Sequence, residues 1–406
     1  MEQNPSAKPR RALPGSIWTL GIVSLLMDTS SELVHSLLPV LMSTVLGASV
    51  ATIGLIEGVA QATAAIGKVF SGAISDYFRK RKILVLLGYG LAALTKPVFP
   101  LAHSIGWVFA ARFIDRIGKG IRGAPRDALV ADIVPPEMRG AAYGLRQALD
   151  SVGAFAGPLL AVVFMALLAD NIRTVLWIAV APALLCILLI VFGVREPDDA
   201  KSTAPRKPLA FSDTRRLPLR YWLVVALGAV FTLARFSEAF LILRAQDVGL
   251  AIGFVPLIMI AMNLVYSAGA YPAGAAADRM SPRTLLVAGL GMLVAADVLL
   301  AAASSPLLAF LGAGFWGLHM AFTQGILLKM IADSAPGELR GTAFGVFNLV
   351  SGGALLLASA IAGALWTLLG PPATFLAGAL FAALAAAGLL AFRPRPAGPP
   401  AGTAAV

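Results

Sequence analysis

The chain has 406 residues, of which 58% are hydrophobic and only 13% charged, and its formal net charge is +11. A soluble chain of this size has about a quarter of its residues charged, so a surface this apolar needs lipid as its solvent. The positive balance does not point to nucleic acid as a partner: the cations are not gathered on one patch but return at every second gap between apolar runs.

The basic stretch Lys8, Arg10 and Arg11 leads into an apolar run at Ile17 that passes straight into DTSSE. No small-residue cleavage site intervenes, so no cleaved leader is expected. A spanning helix needs ~20 residues. Twelve runs of that order follow, at 17–41, 50–74, 83–103, 106–131, 140–167, 174–194, 220–244, 252–276, 283–303, 306–331, 341–367 and 371–392. Glycine and proline are frequent inside them, as membrane helices tolerate. The lone cysteine, Cys186, lies in the sixth run and excludes an internal disulfide.

Cations mark alternate gaps: Arg79 to Lys82 after the second run, Arg139 after the fourth, Arg279 and Arg283 after the eighth, Arg340 after the tenth, Arg393 and Arg395 after the twelfth. The longest gap, 195–219, is polar, basic and proline-rich. The opposite gaps (LGAS, AHSIG, ADNIRT, AQDVG, SSP, GPP) carry few cations. The positive-inside rule then places both termini and the long gap in the cytoplasm, in a multi-pass protein of the cell inner membrane. The expected organisation is a tail at 1–16, a six-helix bundle at 17–194, a cytoplasmic linker at 195–219, a second six-helix bundle at 220–392 and a tail at 393–406.

The two halves repeat. GAISDYFRKRK from Gly72 answers GAAADRMSPRT from Gly274 at an offset of 202 residues, and ADIVPPEMRGAAYG from Ala131 answers ADSAPGELRGTAFG from Ala332 at an offset of 201. In the second pair Asp132, Glu137, Arg139, Gly140 and Gly144 coincide with Asp333, Glu338, Arg340, Gly341 and Gly345. Parallel repeats of six membrane helices imply an all-α fold of twelve transmembrane helices, two pseudo-symmetric bundles around a central cavity.

These features resemble the major facilitator superfamily over nearly the whole chain. The loop after the second run is similar to that family's GxxxDRxGRR signature, with Gly72, Asp76 and Arg81 in place, Tyr77 for the arginine and Arg79 for the glycine. The second-half copy keeps Gly274, Asp278, Arg279 and Arg283. Arg116 and Gly120 resemble its RxxxG motif, with Lys119 where glutamine is usual. GAFAGP, with Gly153, Gly157 and Pro158, resembles the GxxxGP signature of the drug:proton antiporter branch, although small-xxx-small spacing also serves plain helix packing. The resemblance implies that Asp76 clasps the second half near Gly341 and Asp278 the first half near Gly140, with Arg81, Arg139, Arg340 and their neighbours forming cytoplasmic gates that release on rocking.

The stretch from Trp107 to Leu160 carries the charges that lipid tolerates least. Arg112, Asp115, Arg116, Lys119 and Asp150 lie within apolar surroundings, and such residues persist only facing a bundle interior or a wet cavity. Counting rise per residue, Asp28 lies ~16 Å into the first helix, Asp150 ~15 Å into the fifth and Arg116 ~15 Å into the fourth, one layer near the middle of the bilayer. A carboxylate buried without a cation holds its proton more readily, which is what proton coupling requires. Asp28 and Asp150 are therefore the candidate proton carriers, with Arg116 the cation that trades between them. A static ion-pair network is the competing account.

Glu32 and His35 continue the face of Asp28, and Arg112, Arg116 and Lys119 form a basic stripe. Arg235 and Glu238 occupy the matching place in the seventh run, where RFSE answers TSSE. With Asp115, Gln147, Asn263, His319 and Asn348 these are the candidate cavity residues. Lys68 is expected to snorkel toward the cytoplasm. Pro125, beside Gly123, is expected to break or kink the fourth helix and leave Arg126 and Asp127 at the cytoplasmic mouth.

No GxxxxGK[ST] loop, HExxH or metal-ligand cluster, or GxSxG element is present, so no enzyme, cofactor or resident metal is expected. The expected activity is secondary transport by a monomer in the bilayer, the export of a small organic molecule in exchange for protons. A carrier of a charged solute (an organic anion, a metal ion or a metal chelate) is the alternative. A sensor or scaffold on the same fold would need a large extramembrane domain, for which the sequence leaves no room.

Overall fold

The computed structural model describes residues 13–78, 80–135, 138–195, 211–277, 280–336 and 339–391, without the side chains of 72–78, 140, 211–213, 271, 274, 275, 277, 329, 340, 341 and 391. The chain rises in α1 (Gly15–Val40), which widens into a π-turn at Leu41–Val45, and returns in α2 (Val50–Phe78). There follow α3 (Arg81–Thr95) with α4 (Val98–Leu101), α5 (Ile105–Ile133), α6 (Arg139–Leu167), and α7 (Ile172–Ile178) with α8 (Val180–Gly193). The second half comprises α9 (Leu219–Leu233) with α10 (Ala239–Asp247), α11 (Leu257–Ala277), α12 (Pro282–Ala302), α13 (Pro306–Ser334), α14 (Arg340–Leu369) and α15 (Pro371–Ala391).

Three of these pairs are single crossings with a break, so the fifteen helices make twelve crossings in two bundles. Among the described residues ten segments are long and apolar enough to cross a membrane by length and composition. The remaining crossings are α5, whose interior is laden with charge, and the α9–α10 pair, whose halves are too short. Large apolar side chains such as Leu94, Leu167, Phe192 and Leu368 point outward and exposed, the surface a bilayer would cover.

Two expectations about continuity are corrected. The run at 220–244 is not one helix: α9 ends at Leu233 and α10 starts at Ala239. The freed backbone is satisfied locally, because Ser359 Oγ accepts from the Ser237 amide at 3.2 Å and Ser237 Oγ accepts from the Ala239 amide at 3.3 Å. Conversely, α5 runs unbroken through Pro125. Proline removes one donor, but an otherwise well-packed membrane helix absorbs that loss.

Within the first half α1 lies along α6 and α8, and α5 along α2 and α3; in the second, α13 lies between α11 and α12, with α15 on α12. The halves meet along α2 and α14, at α1 with α10, and at α6 with α11. The α2–α14 seam is lined by small residues, with Gly363 against Val50 and Ala51 and Gly352 against Ala62 and Ala65. At the end remote from the N-terminus the halves are also tied by Ala51 N donating to Thr367 Oγ1 at 3.1 Å and Ser43 Oγ to Gln246 Oε1 at 3.4 Å. One hydrophobic cluster there takes Leu37, Leu38 and Leu41 from α1 and its turn, with Leu241 and Ile242 from α10. That end is closed, and the space between the halves lies on the other side.

Helix α6 is seated closely on α1. A Cβ on Gly153 would fall 2.6 Å from the Leu25 carbonyl oxygen and 3.0 Å from Asp28 Cβ; one on Gly157 would fall 2.6 Å from the Thr29 oxygen and 2.7 Å from the Leu33 nitrogen. The two glycines thus allow the contact that holds Asp28 and Glu32 in register against α6. Gly157→Ala is expected to destabilise the protein by about 1–3 kcal/mol through overpacking against immovable backbone. Gly353→Ala, whose Cβ would meet nothing within 4 Å, serves as the unaffected control in thermal unfolding.

Candidate functional site

A cavity of about 540 Å³ lies between α1, α2, α5, α6 and α11. Helical spacing puts its polar residues on shared faces. Lys119, Arg122 and Arg126 recur at i, i+3 and i+7 on α5, and Gln147, Asp150 and Ser151 at i, i+3 and i+4 on α6. Asp28 enters from α1, Lys68 from α2, and Asn263, Tyr266 and Ser267 from α11. Of the expected site residues, Asp28, Lys119, Gln147, Asp150 and Asn263 line this cavity. Lys68, expected to snorkel away, lines it too.

The charges around the cavity are unevenly satisfied. Arg146, one turn before Asp150, donates to its carboxylate at 2.5 Å. Arg126 donates to Ser24 Oγ at 3.1 Å and Tyr89 OH at 3.3 Å and pairs with Asp127 at 3.3 Å. Arg122 is 4% exposed, its guanidinium 4.4 Å from the centre of the Tyr89 ring, and its Nη1 has no hydrogen-bond partner. Among the described residues Lys68, Lys119 and Asp28 have no hydrogen-bond or ion-pair partner; the charged neighbours of Asp28 are Asp150, Lys119, Arg122 and Arg126.

Further from the mouth lies a second set of charges, fully enclosed. Arg112 binds Glu57 through two hydrogen bonds, Nε to Oε1 at 3.0 Å and Nη2 to Oε2 at 2.8 Å. His35 places Nδ1 3.3 Å from Glu32 and Nε2 3.8 Å from Glu57. Lys96 donates to Asp115 and to Ser31 Oγ, both at 3.0 Å, and Arg116 Nε lies 3.6 Å from the other Asp115 oxygen. Arg112, Asp115, Arg116 and His35 therefore belong to a buried network and are not on the wall of the cavity; Glu32 is its most exposed member. Arg116 does not bridge Asp28 and Asp150, as the sequence had led us to expect: its partner is Asp115, and that of Asp150 is Arg146.

The second half supplies fewer charges. Arg235 and Glu238 sit in the break between α9 and α10, half-buried, unpaired with each other and off the cavity wall. His319 is turned to α12, its Nδ1 2.8 Å from the Gly289 carbonyl oxygen, and Asn348 is half-buried on α14 away from the wall. Sequence reasoning overlooked Asp297. It is fully buried, neither carboxylate oxygen has a partner, and it is lodged beside Gly378 and Phe236. The signal was present, a single acid in the apolar run VAADVLL.

Near the termini Arg81 donates to the Ala128 carbonyl at 2.8 Å and pairs with Asp132, tying α3 to α5. Arg283 donates to the Leu390 carbonyl and ties α12 to α15, and Arg139 is exposed. The side chains of Asp76, Asp278, Arg279 and Arg340, with Gly72, Gly274, Gly140 and Gly341, lie outside the described residues, and so do the expected clasps. Among the described residues no group of three or more His, Cys, Asp or Glu could hold a metal ion.

Comparison with known proteins gives consistent results. The sequence profile described as Major Facilitator Superfamily matches residues 20–245 and 232–405. An uncharacterised MFS-type transporter of Methanocaldococcus jannaschii is 32% identical over 383 residues, covering 92% of this chain and 93% of its own. The class C tetracycline resistance protein of Escherichia coli is 26% identical over 313 residues, 71% of this chain and 74% of its own. Among solved structures, a variant of the nucleoside transporter NupG superposes with a TM-score of 0.79 over 92% of this chain and 99% of its own, at 12% identity, a likeness of fold.

The enclosed network makes a prediction of stability. Glu57→Gln or Arg112→Met alone strands a buried charge and is expected to cost about 3–5 kcal/mol. The double variant, which removes both charges, should recover most of the loss in thermal unfolding. Equal melting of singles and wild type would show the pair to be energetically idle.

Proposed function

The chain belongs to the Major Facilitator Superfamily, and from that premise we propose that it is a proton-coupled carrier that exports a small organic molecule by alternating access. The observation that carries this is the cavity between the halves, with Asp28 and Asp150 in its wall. With both termini in the cytoplasm, the open side faces the cytoplasm and the closed end faces outward. Solute enters between α5, α6 and α11, the halves rock about the α2–α14 seam, and the far contacts of α1 with α10 part. A proton arriving from outside on Asp28 or Asp150 alters the charge that solute meets, displaces it, and favours return to the open-inward state. The Escherichia coli relative is a tetracycline resistance protein, which supports export. The protein works as a monomer in this scheme, since each chain holds a whole cavity.

The excess of cations on the wall favours a second possibility, a carrier of an anionic solute. An anion and the Asp28 carboxylate would compete for the same cations, so a proton on Asp28 and an anion in the cavity would promote one another and travel together.

Inside-out vesicles carrying a lumenal pH dye distinguish these. Drugs, siderophores and organic acids are added in turn to vesicles with an acidified lumen. Export by exchange is expected to draw protons out as solute accumulates, whereas co-transport moves both the same way. Asp28→Asn and Asp150→Asn should each lower gradient-driven flux at least about tenfold, in the range that loss of a positioned proton carrier produces, while solute-for-solute counterflow persists. Undiminished gradient-driven flux in both variants would remove these acids from the coupling step.

A further inference from the structure

The cavity has two unlike walls. Toward α2 and α5 it presents Lys68, Lys119 and Arg122; toward α6 and α11 it presents Val152, Phe155 and Leu264, all three exposed. Counting charges decides what fits. Asp150 is taken by Arg146, and Arg126 by Asp127 and two hydroxyls. The enclosed network balances itself: Arg112, Lys96 and Arg116 face Glu57, Asp115 and, through His35, Glu32. What remains on the wall is three cations, none with a hydrogen-bond or ion-pair partner among the described residues, against the single carboxylate of Asp28. One of the three is nine-tenths buried and holds a guanidinium nitrogen with no hydrogen-bond partner. Such a group is costly to leave unanswered in a low-dielectric site. Its face is already occupied by the Tyr89 ring, so its edge is what is free.

Resting on the second carrier reading above, that of an anionic solute moving with its proton, we propose that the transported solute is an amphipathic organic anion, with its carboxylate or similar head against Lys119, Arg122 and Lys68 and its apolar body on Phe155, Val152 and Leu264. A guanidinium offers paired donors that match a carboxylate or phosphate, and the two ammonium groups add charge without fixing geometry, which suits a permissive site. The volume of about 540 Å³ lies within the range of sites for drug-sized molecules. Asn263 and Tyr266 on α11 are placed to meet any polar group along the body of the solute.

The test uses the purified full chain in detergent at fixed ionic strength and three probes with one tail and different heads: 1-naphthoate, neutral 1-naphthamide and the cation 1-naphthylmethylammonium. Titration calorimetry is expected to give naphthoate a dissociation constant at least about tenfold below that of the amide, the scale of one charge-assisted contact, with the ammonium weakest. Lys119→Gln and Arg122→Gln should each erase most of that preference while leaving amide binding within about twofold, which also reports that the variants are folded. Equal binding of the three probes, preference for the ammonium, or binding of none overturns the assignment. The vesicle measurement stands apart from it: proton-linked flux of a neutral or cationic solute would leave the carrier function in place while this assignment fails.

Discussion

A charge inside a membrane must be answered by another charge, and most of the first half is arranged by that constraint. Glu57 with Arg112, a bidentate pair, and Asp115 with Lys96, joined by one hydrogen bond, are buried pairs that draw together α2, α3 and α5. Their geometry is good enough to offset much of the desolvation that burial imposes. Removing an acid from this set would leave a bare cation among apolar neighbours. The same constraint explains why the cavity stands out: its cations are the ones the protein does not answer from within. The closed network and the open one sit on the same helix, α5, separated by about one turn between Arg116 and Lys119.

Glycine decides where α1 can sit. Because Gly153 and Gly157 carry no side chain, α1 lies directly on α6, and Asp28 comes to the cavity beside Asp150 and not one helix diameter away. Gly120 does the same for α5 on α2, where a Cβ would fall 2.8 Å from Gly67 Cα. The small residues of GAFAGP and RxxxG thus act through packing, and the charges next to them inherit their positions from it. Whether the first motif also marks a mode of coupling is a separate matter from this contact.

Much of this was legible in the sequence because lipid makes composition informative. Runs of apolar residues, alternating cations and the repeat at about 200 residues required only counting, and the charged stripe of α5 followed from helical period. Pairing was not legible. Asp150 has Arg146 one turn away and Arg116 on another helix, and only packing chooses between them. The break between α9 and α10 was hidden for a similar reason: nothing in LARFSEA forbids a helix, and the alternative is supported by Ser359, more than a hundred residues away. Asp297 was missed because it has no charged neighbour to complete a pattern.

The two ends of the molecule differ in what joins the halves, and that difference bears on how it moves. At the closed end the contacts are Leu, Ile and Phe side chains, with two side-chain hydrogen bonds at its rim, interactions with little directionality that can be exchanged for lipid or for a rearranged partner at modest cost. The α2–α14 seam brings its two backbones close at several points, where Gly363 meets Ala51 and Gly352 meets Ala62 and Ala65. The buried ion pairs, by contrast, lie wholly inside the first half and none spans the halves among the described residues. In the proposed cycle the rocking of the halves would leave all the ion pairs found among the described residues intact, and breaking one in a low-dielectric interior would add several kcal/mol to the barrier. In the alternating-access cycle proposed above, halves whose buried ion pairs are internal, joined by apolar and small-residue contacts, leave the unanswered charge of the cavity wall as the variable to which the equilibrium between two tilts would respond.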